Sequence, residues 1–301
     1  MDNVKWPLSQ FHHVHVAAKD INVPEVFLRG LGIPLGGYNH PGEFKVADGI
    51  DLEEFWARDY RFCRVGTAHL QFMSPHRDGR YRQFLNQNGN RVYSMGYVVN
   101  DVDAAEAEML NRGLKIRTRG RHSDGWGFTY FETLDVLGVL ICVRQSAKNE
   151  ALTDENTSTG TFATLGEFQV VVRDMSAAED EFSKAGFAFA QDESHSDAVS
   201  VDGMSSNAFQ SLTRRVARIG PVSLRLASPG AQESTLKQFA DLYEKRPFSL
   251  GFKVDDLDAA EATAKERGLV PLIRARQPEG RGFACFDTLD KLGFNLAIQK
   301  E

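Results

Sequence analysis

Cysteine is scarce in this chain: three thiols, Cys63, Cys142 and Cys285, stand among 301 residues. An odd number without metal-type spacing excludes a disulfide framework and points to reduced thiols in a cytoplasmic protein. Long apolar runs are missing too. The stretch Val136–Val143 is far shorter than the roughly 20 residues that span a bilayer, so no membrane partner is expected. The first residues, Met1–Trp6, lack the basic-then-apolar layout of a signal peptide. Basic charge is in deficit. Lys and Arg number 35 against 41 Asp and Glu, and the net charge of −6 excludes a general nucleic-acid surface. What is present is an ordinary globular composition, with 21 Phe spread along the chain and 42% hydrophobic residues. That is enough for about two domains of roughly 150 residues each.

Self-comparison shows the two halves to be related. DVDAAEAEMLNRGL (101–114) returns as DLDAAEATAKERGL (256–269), and GFTYFETLDVLGVLICV (127–143) as GFACFDTLDKLGFNLAI (282–298). HLQFMSP (69–75) lies over SLRLASP (223–229), and 11–20 over 166–174 by alternation and a final Asp. The spacing is 154–155 residues, so the chain reads as a tandem duplication. Between the copies SAKNEALTDENTSTG (146–160) is polar and suits an exposed connection. The domains are therefore placed at 1–150 and 151–301.

Each copy holds a smaller repeat. Phe11–Asp20 alternates like a half-buried strand, a helix follows over 21–31, and strands are expected over 35–46, 50–62 and 68–73. The order restarts with a strand at 93–99, a helix at 101–112 and strands at 114–118, 127–131 and 139–144. Asp101 or Asp103 can cap that helix and Gly113 can stop it. The second copy repeats the order over 166–229 and 248–299. The fold class is α+β: four βαβββ modules forming two open eight-stranded barrels.

AHLQFMSP, YSMGYVVNDVDAAEAEMLNRGL and FETLDVLGVLICVRQ make the chain resemble the vicinal oxygen chelate superfamily, and within it methylmalonyl-CoA epimerase-type modules. The superfamily also includes glyoxalase I, extradiol dioxygenases, fosfomycin-resistance enzymes and bleomycin-binding proteins. The resemblance implies paired modules around a cavity in which four positions commonly hold one divalent metal. Carried over, those positions are His13, Gln71, Ser94 and Cys142 in the first domain and Glu167, Arg225, Ser249 and Ala297 in the second. The family expects His and Glu where Ser94 and Cys142 stand. One divalent metal in the N-terminal domain, on His13 and Gln71, and none in the C-terminal domain is what the carry-over implies. An Arg225–Glu167 salt bridge is expected to fill the second site.

His13 and His15 share a strand face, as do His69 and Gln71. All four are expected to line the first cavity, with Ser94 and Cys142 completing it. His13, His15 and His69 are the candidate catalytic residues, because neutral imidazole serves as base, acid or ligand near pH 7. Gln71, Ser94, Cys142, Trp126 and Tyr130 are the candidate substrate contacts. The run 119–126 suits a mobile loop over the site, and the basic run 274–281 could hold an acidic group or be a solvated turn. Glu53 and Glu54 could supply a base, although charged strand positions are usually solvated.

Three readings follow. The first is an isomerase or lyase that moves a proton on a small oxygenated substrate. The second is an extradiol-type ring-cleaving dioxygenase, disfavoured by Glu167, Ser249 and Ala297 at its iron positions. The third is a non-catalytic protein that sequesters a small molecule. The family habit of dimerising makes a homodimer plausible.

Overall fold

The computed structural model describes residues 8, 10–37, 43–146, 156–192, 197–243 and 245–301. The expected domain boundary between 150 and 151 lies outside them. The N-terminal half runs β1 (Gln10–Ala17), α1 (Asn22–Gly30), β2 (Gly36–Gly37), β3 (Phe44–Asp48), α2 (Leu52–Trp56), β4 (Arg58–Val65), β5 (Ala68–Pro75), α3 (Arg80–Asn88), β6 (Arg91–Val98), α4 (Val102–Asn111), β7 (Ile116–His122), β8 (Gly127–Phe131), α5 (Leu134–Leu137) and β9 (Leu140–Gln145). The C-terminal half runs β10 (Leu165–Val171), α6 (Met175–Lys184), β11 (Ala190–Gln191), β12 (Ser200–Asp202), α7 (Ser206–Gln210), β13 (Thr213–Ile219), β14 (Val222–Ser228), α8 (Thr235–Tyr243), β15 (Arg246–Lys253), α9 (Leu257–Glu266), β16 (Pro271–Arg276), β17 (Gly282–Phe286), α10 (Leu289–Leu292) and β18 (Asn295–Lys300).

Each half builds one nine-stranded sheet, ordered β2-β4-β5-β1-β6-β9-β8-β7-β3 and β11-β13-β14-β10-β15-β18-β17-β16-β12. The two orders are equivalent strand for strand. The count is nine rather than eight because the stretch expected as one strand over 35–46 splits, and its two pieces join opposite edges of the sheet. That split dictates curvature. Nine strands laid flat put their edges about 38 Å apart. The chain from Gly37 to Phe44 spans at most about 25 Å. The sheet must therefore curl until its edges approach, which is the open barrel.

Local signals act as expected in the long helices. The Asp101 carboxylate accepts from the backbone N–H groups of Asp103 and Ala104, and Asp256 does the same for Asp258 and Ala259. The strand expected over 50–62 begins instead as helix α2, capped by Asp51, which accepts from Glu54 N–H. Helix α3 lies between the two modules of the first half.

The sheet faces turned away from the cavities share one apolar cluster. It joins Val14, Phe72, Tyr97 and Ile141 to Phe168, Leu224, Phe252 and Phe294, together with Leu28, Met109, Phe182 and Ala264 from the helices. Phe72 packs on Phe294, with ring centroids 6.5 Å apart, and Tyr97 on Phe187 at 5.9 Å. The halves thus have a common core rather than two separate ones. The end of the expected linker is docked, not free: Thr157 bridges Arg64, and Ser158 is buried with its hydroxyl donating to Phe162 O at 2.7 Å.

Candidate functional site

The curl of the first sheet encloses a cavity of about 360 Å³. His13, His15, Gln71, Trp126, Tyr130 and Cys142 line it, as do Phe55, Arg58, Tyr60, Tyr93, Phe128 and Arg144. His69 and Ser94 are not among its lining residues. Ser94 lies opposite His15 in the strand register and is fully buried. His69 packs against His12, with ring centroids 4.5 Å apart.

His12 is the residue that strict alternation misplaces. A register shift between Phe11 and His13 in the β1–β6 pairing puts Phe11 in the shared apolar core. It also brings His12 beside His13, 2.9 Å between their Nδ1 atoms. The opposite position, Gly96, makes the arrangement possible. A Cβ there would sit 1.8 Å from the His13 ring.

Hydrogen bonds fix the proton positions. Arg144 Nη1 lies 3.1 Å from His12 Nε2, and a guanidinium can only donate. His12 Nε2 is then an acceptor, with His69 Nδ1 a second donor to it at 3.2 Å. Burial, and after it the Arg144 charge, pushes the pKa values of His12 and His13 well below the usual imidazole value, so both are neutral. The His12 proton is therefore on Nδ1 and is donated to His13 Nδ1. His13 carries its own proton on Nε2, which is buried with no protein acceptor. His13 thus presents an N–H.

His15 differs. Both its ring nitrogens are buried without a protein partner among the described residues. Burial first, then the Arg58 charge, lowers its pKa to about 3. Gln71 Oε1 accepts from Tyr60 Oη at 2.5 Å, which leaves the amide NH₂ free to donate. Trp126 Nε1 is buried and unpartnered. Burial pushes the Cys142 thiol up to about 12, so it stays a thiol.

A divalent cation does not fit this donor set. Among the described residues no three His, Cys, Asp or Glu side chains are placed to hold a metal ion together. The pair expected from the resemblance, His13 and Gln71, brings no anionic ligand. The guanidinium groups of Arg58 and Arg144 line the same cavity, and His13 turns a protonated nitrogen toward it.

The first half of the expected loop over 119–126 is strand β7. Arg119 is paired with Asp48 and Glu106, and Arg121 with Asp103 and Glu106. The basic run 274–281 is likewise committed: Arg274 and Arg276 share Glu261, and Arg281 pairs with Asp197. Glu54 is buried, its carboxylate accepting from the backbone N–H of Arg80 and Tyr81 at the start of α3. In the C-terminal half the equivalent cavity is only about 30 Å³. Arg225 pairs there with Glu167, as anticipated, and also with Asp192 at 2.5 Å.

Arg58, Tyr60 and Arg144 went unnamed from sequence. A period-two reading would have found one of them, since Arg144 follows the named Cys142 by two. Among the described residues no helix is long and apolar enough to cross a membrane.

Comparison with curated protein sequences yields no match. A triple mutant of 4-hydroxymandelate synthase from Streptomyces coelicolor superposes with a TM-score of 0.63 at 12% identity, covering 98% of this chain and 93% of that one. The Mn(II)-bound glyoxalase from Novosphingobium aromaticivorans gives 0.54 at 10% identity, covering 100% and 83%. At such identities these likenesses carry the fold alone. Residues 12–130 match the family profile described as Glyoxalase/Bleomycin resistance protein/Dioxygenase superfamily. Over those residues the N-terminal half is similar to the glyoxalase/bleomycin resistance/dioxygenase superfamily, and the fold it shares with the solved structures extends over the whole chain.

Proposed function

We propose that the N-terminal cavity catalyses proton transfer on a small oxygenated molecule, as an isomerase, epimerase or lyase, and that the C-terminal half supports it. The observation that carries this reading is His15, a neutral imidazole with two unpartnered nitrogens in a cavity otherwise rich in donors. His15 is the base that takes a proton from the carbon next to a carbonyl. His13 Nε2–H and the Gln71 amide donate to the oxygen on which negative charge then develops. Return of the proton to another position or face gives the isomer; loss of a neighbouring group gives elimination. The filled second cavity, about 30 Å³ against 360 Å³, supports assigning the chemistry to the first half.

The test does not require the product to be known. A panel of carbonyl acids and thioesters is incubated with the protein in D₂O, and loss of the α-proton signal is followed by NMR. Wild-type protein should catalyse exchange for the compounds that bind. His15→Phe should slow it by about 10²–10⁴-fold, the usual worth of a positioned base. Compounds that bind with no exchange above the His15→Phe rate would reassign the cavity to sequestration, which its aromatic lining also suits.

A further inference from the structure

The charged groups around the cavity are unequal in how they are satisfied. Its two lining carboxylates are both spent on backbone: Asp51 caps α2, and Glu54 accepts from the N–H groups of Arg80 and Tyr81. Arg58 has no such partner. Its guanidinium lies over the Phe55 ring at 3.9 Å and donates through Nη1 to Tyr81 Oη at 3.1 Å. Its Nε is buried without an acceptor, and no carboxylate among the described residues pairs with it. Stacking on Phe55 leaves the edges of the guanidinium plane for in-plane acceptors. Apart from the Nη1 bond to Tyr81, the guanidinium keeps N–H donors without a protein acceptor among the described residues, and such a plane takes a carboxylate through parallel hydrogen bonds.

The neutral donors agree with this. His13 Nε2–H, the Gln71 amide and Trp126 Nε1–H lie in the same cavity without protein acceptors among the described residues. A cavity that offers cationic and neutral donors and few free acceptors is complementary to a ligand rich in anionic and carbonyl oxygens. Phe128 and Trp126, clustered with Phe55, give the cavity an apolar side.

From this geometry we infer that the ligand of the N-terminal cavity is a small carboxylic acid, its carboxylate on Arg58 and its apolar body against Phe128 and Trp126. This rests on the proton-transfer reading only for the identity of the cavity as the working site.

It also removes a difficulty in that reading. A base as weak as the empty-site His15 is poorly matched to neutral pH. The groups around His15 are His13 on its own strand, Tyr60 and Arg58 on β4, Gln71 on β5 and Tyr93 on β6. Of these only Arg58 is charged. A carboxylate placed on Arg58 offsets that charge and raises the basicity of His15 at the moment the substrate arrives.

The experiment is calorimetric titration of the full chain with benzoate, benzamide and phenylphosphonate. The wild-type protein should bind benzoate at least about tenfold more tightly than benzamide. Arg58→Gln should bring that ratio to about one while benzamide still binds, which shows an intact cavity. Equal affinity for benzoate and benzamide, absence of binding by both, or discrimination that survives in Arg58→Gln overturns the inference. Phenylphosphonate binding more tightly than benzoate overturns the carboxylate in favour of a phosphoryl group. No turnover is involved. Carboxylate selectivity without deuterium exchange would sink the proton-transfer reading alone, and exchange on uncharged ketones without carboxylate selectivity would sink this one alone.

Discussion

At the scale of the residue, three imidazoles in a row have different chemistry because of what their nitrogens touch. His12 accepts from Arg144 and donates to His13, which makes His13 a donor. Neither ring nitrogen of His15 has a hydrogen-bond partner among the described residues, so one stays able to accept. Nitrogen-15 NMR of histidine-labelled protein should show His13 protonated on Nε2 and His12 on Nδ1. Arg144→Leu should release that tautomer and slow α-proton exchange by about 10–100-fold, with His15 Nε2 and Nδ1 shifts little changed. A wild-type His13 protonated on Nδ1 would end the assignment of an N–H to the cavity. The motif HHVH announced that histidines cluster here. It could not announce the register shift that turns His12 toward His13, because a bulge is set by the pairing of two strands rather than by either one.

At the scale of the element, the two long helices with matching sequences hold equivalent ion-pair clusters. Glu106 on α4 takes Arg119 and Arg121 from β7 and accepts from Thr129 on β8 at 2.5 Å. Glu261 on α9 takes Arg274 and Arg276 from β16, and Lys265. Each carboxylate ties a helix to the sheet edge behind the cavity. Removing one leaves each of its two partly buried guanidinium groups with only a single, exposed carboxylate: Asp48 and Asp103 in the first half, Asp202 and Asp258 in the second. Glu106→Gln should therefore cost about 2–3 kcal/mol in urea unfolding, reduced from the fully buried case because Arg119 is about one-third exposed. Glu261→Gln should cost a similar amount. A loss under about 0.5 kcal/mol would show the clusters to be solvated decoration. The helices and most strands were legible from capping residues and period-two alternation. Helix α2 was not, since Leu52–Trp56 is too short to show a period. The strand pairing of Arg119 and Arg121 was hidden as well, because mixed charge and glycine read alike in a loop and in a strand laced by ion pairs.

At the scale of the molecule, the two halves are like sheets with unlike interiors, held by one core. Gly138 and Gly293, equivalent in the two copies, each let the other half come close: a Cβ at 138 would meet Lys245 O, and one at 293 the backbone of Arg91. Arg246 donates to Asn90 O at 2.6 Å across the same boundary. Unfolding should therefore be a single transition, in which a weakness of either half is felt by both. The buried imidazoles supply such a weakness. The pKa of His15 is lowered in the fold, to about 3 from an unfolded value near 6.5. Below pH 6.5 the unfolded chain takes up a proton that the folded one refuses, so stability falls as the pH drops, until about pH 3. At pH 5 the loss is about 2 kcal/mol for His15 alone. His12 and His13 are depressed in the same direction and add to it. Glu167 in the other half runs the opposite way. Burial raises its pKa above the ordinary carboxylate value despite Arg225, so its contribution favours the fold as the pH falls toward that value. Urea midpoints measured from pH 8 to pH 4.5 should decline steeply below about 6.5 in wild-type protein. In His15→Phe the slope should be shallower by about one proton. A midpoint that stays flat between pH 6.5 and 5 would mean that these imidazoles are hydrated or already charged in the fold, and the neutral, donor-ordered cavity would have to be abandoned with them.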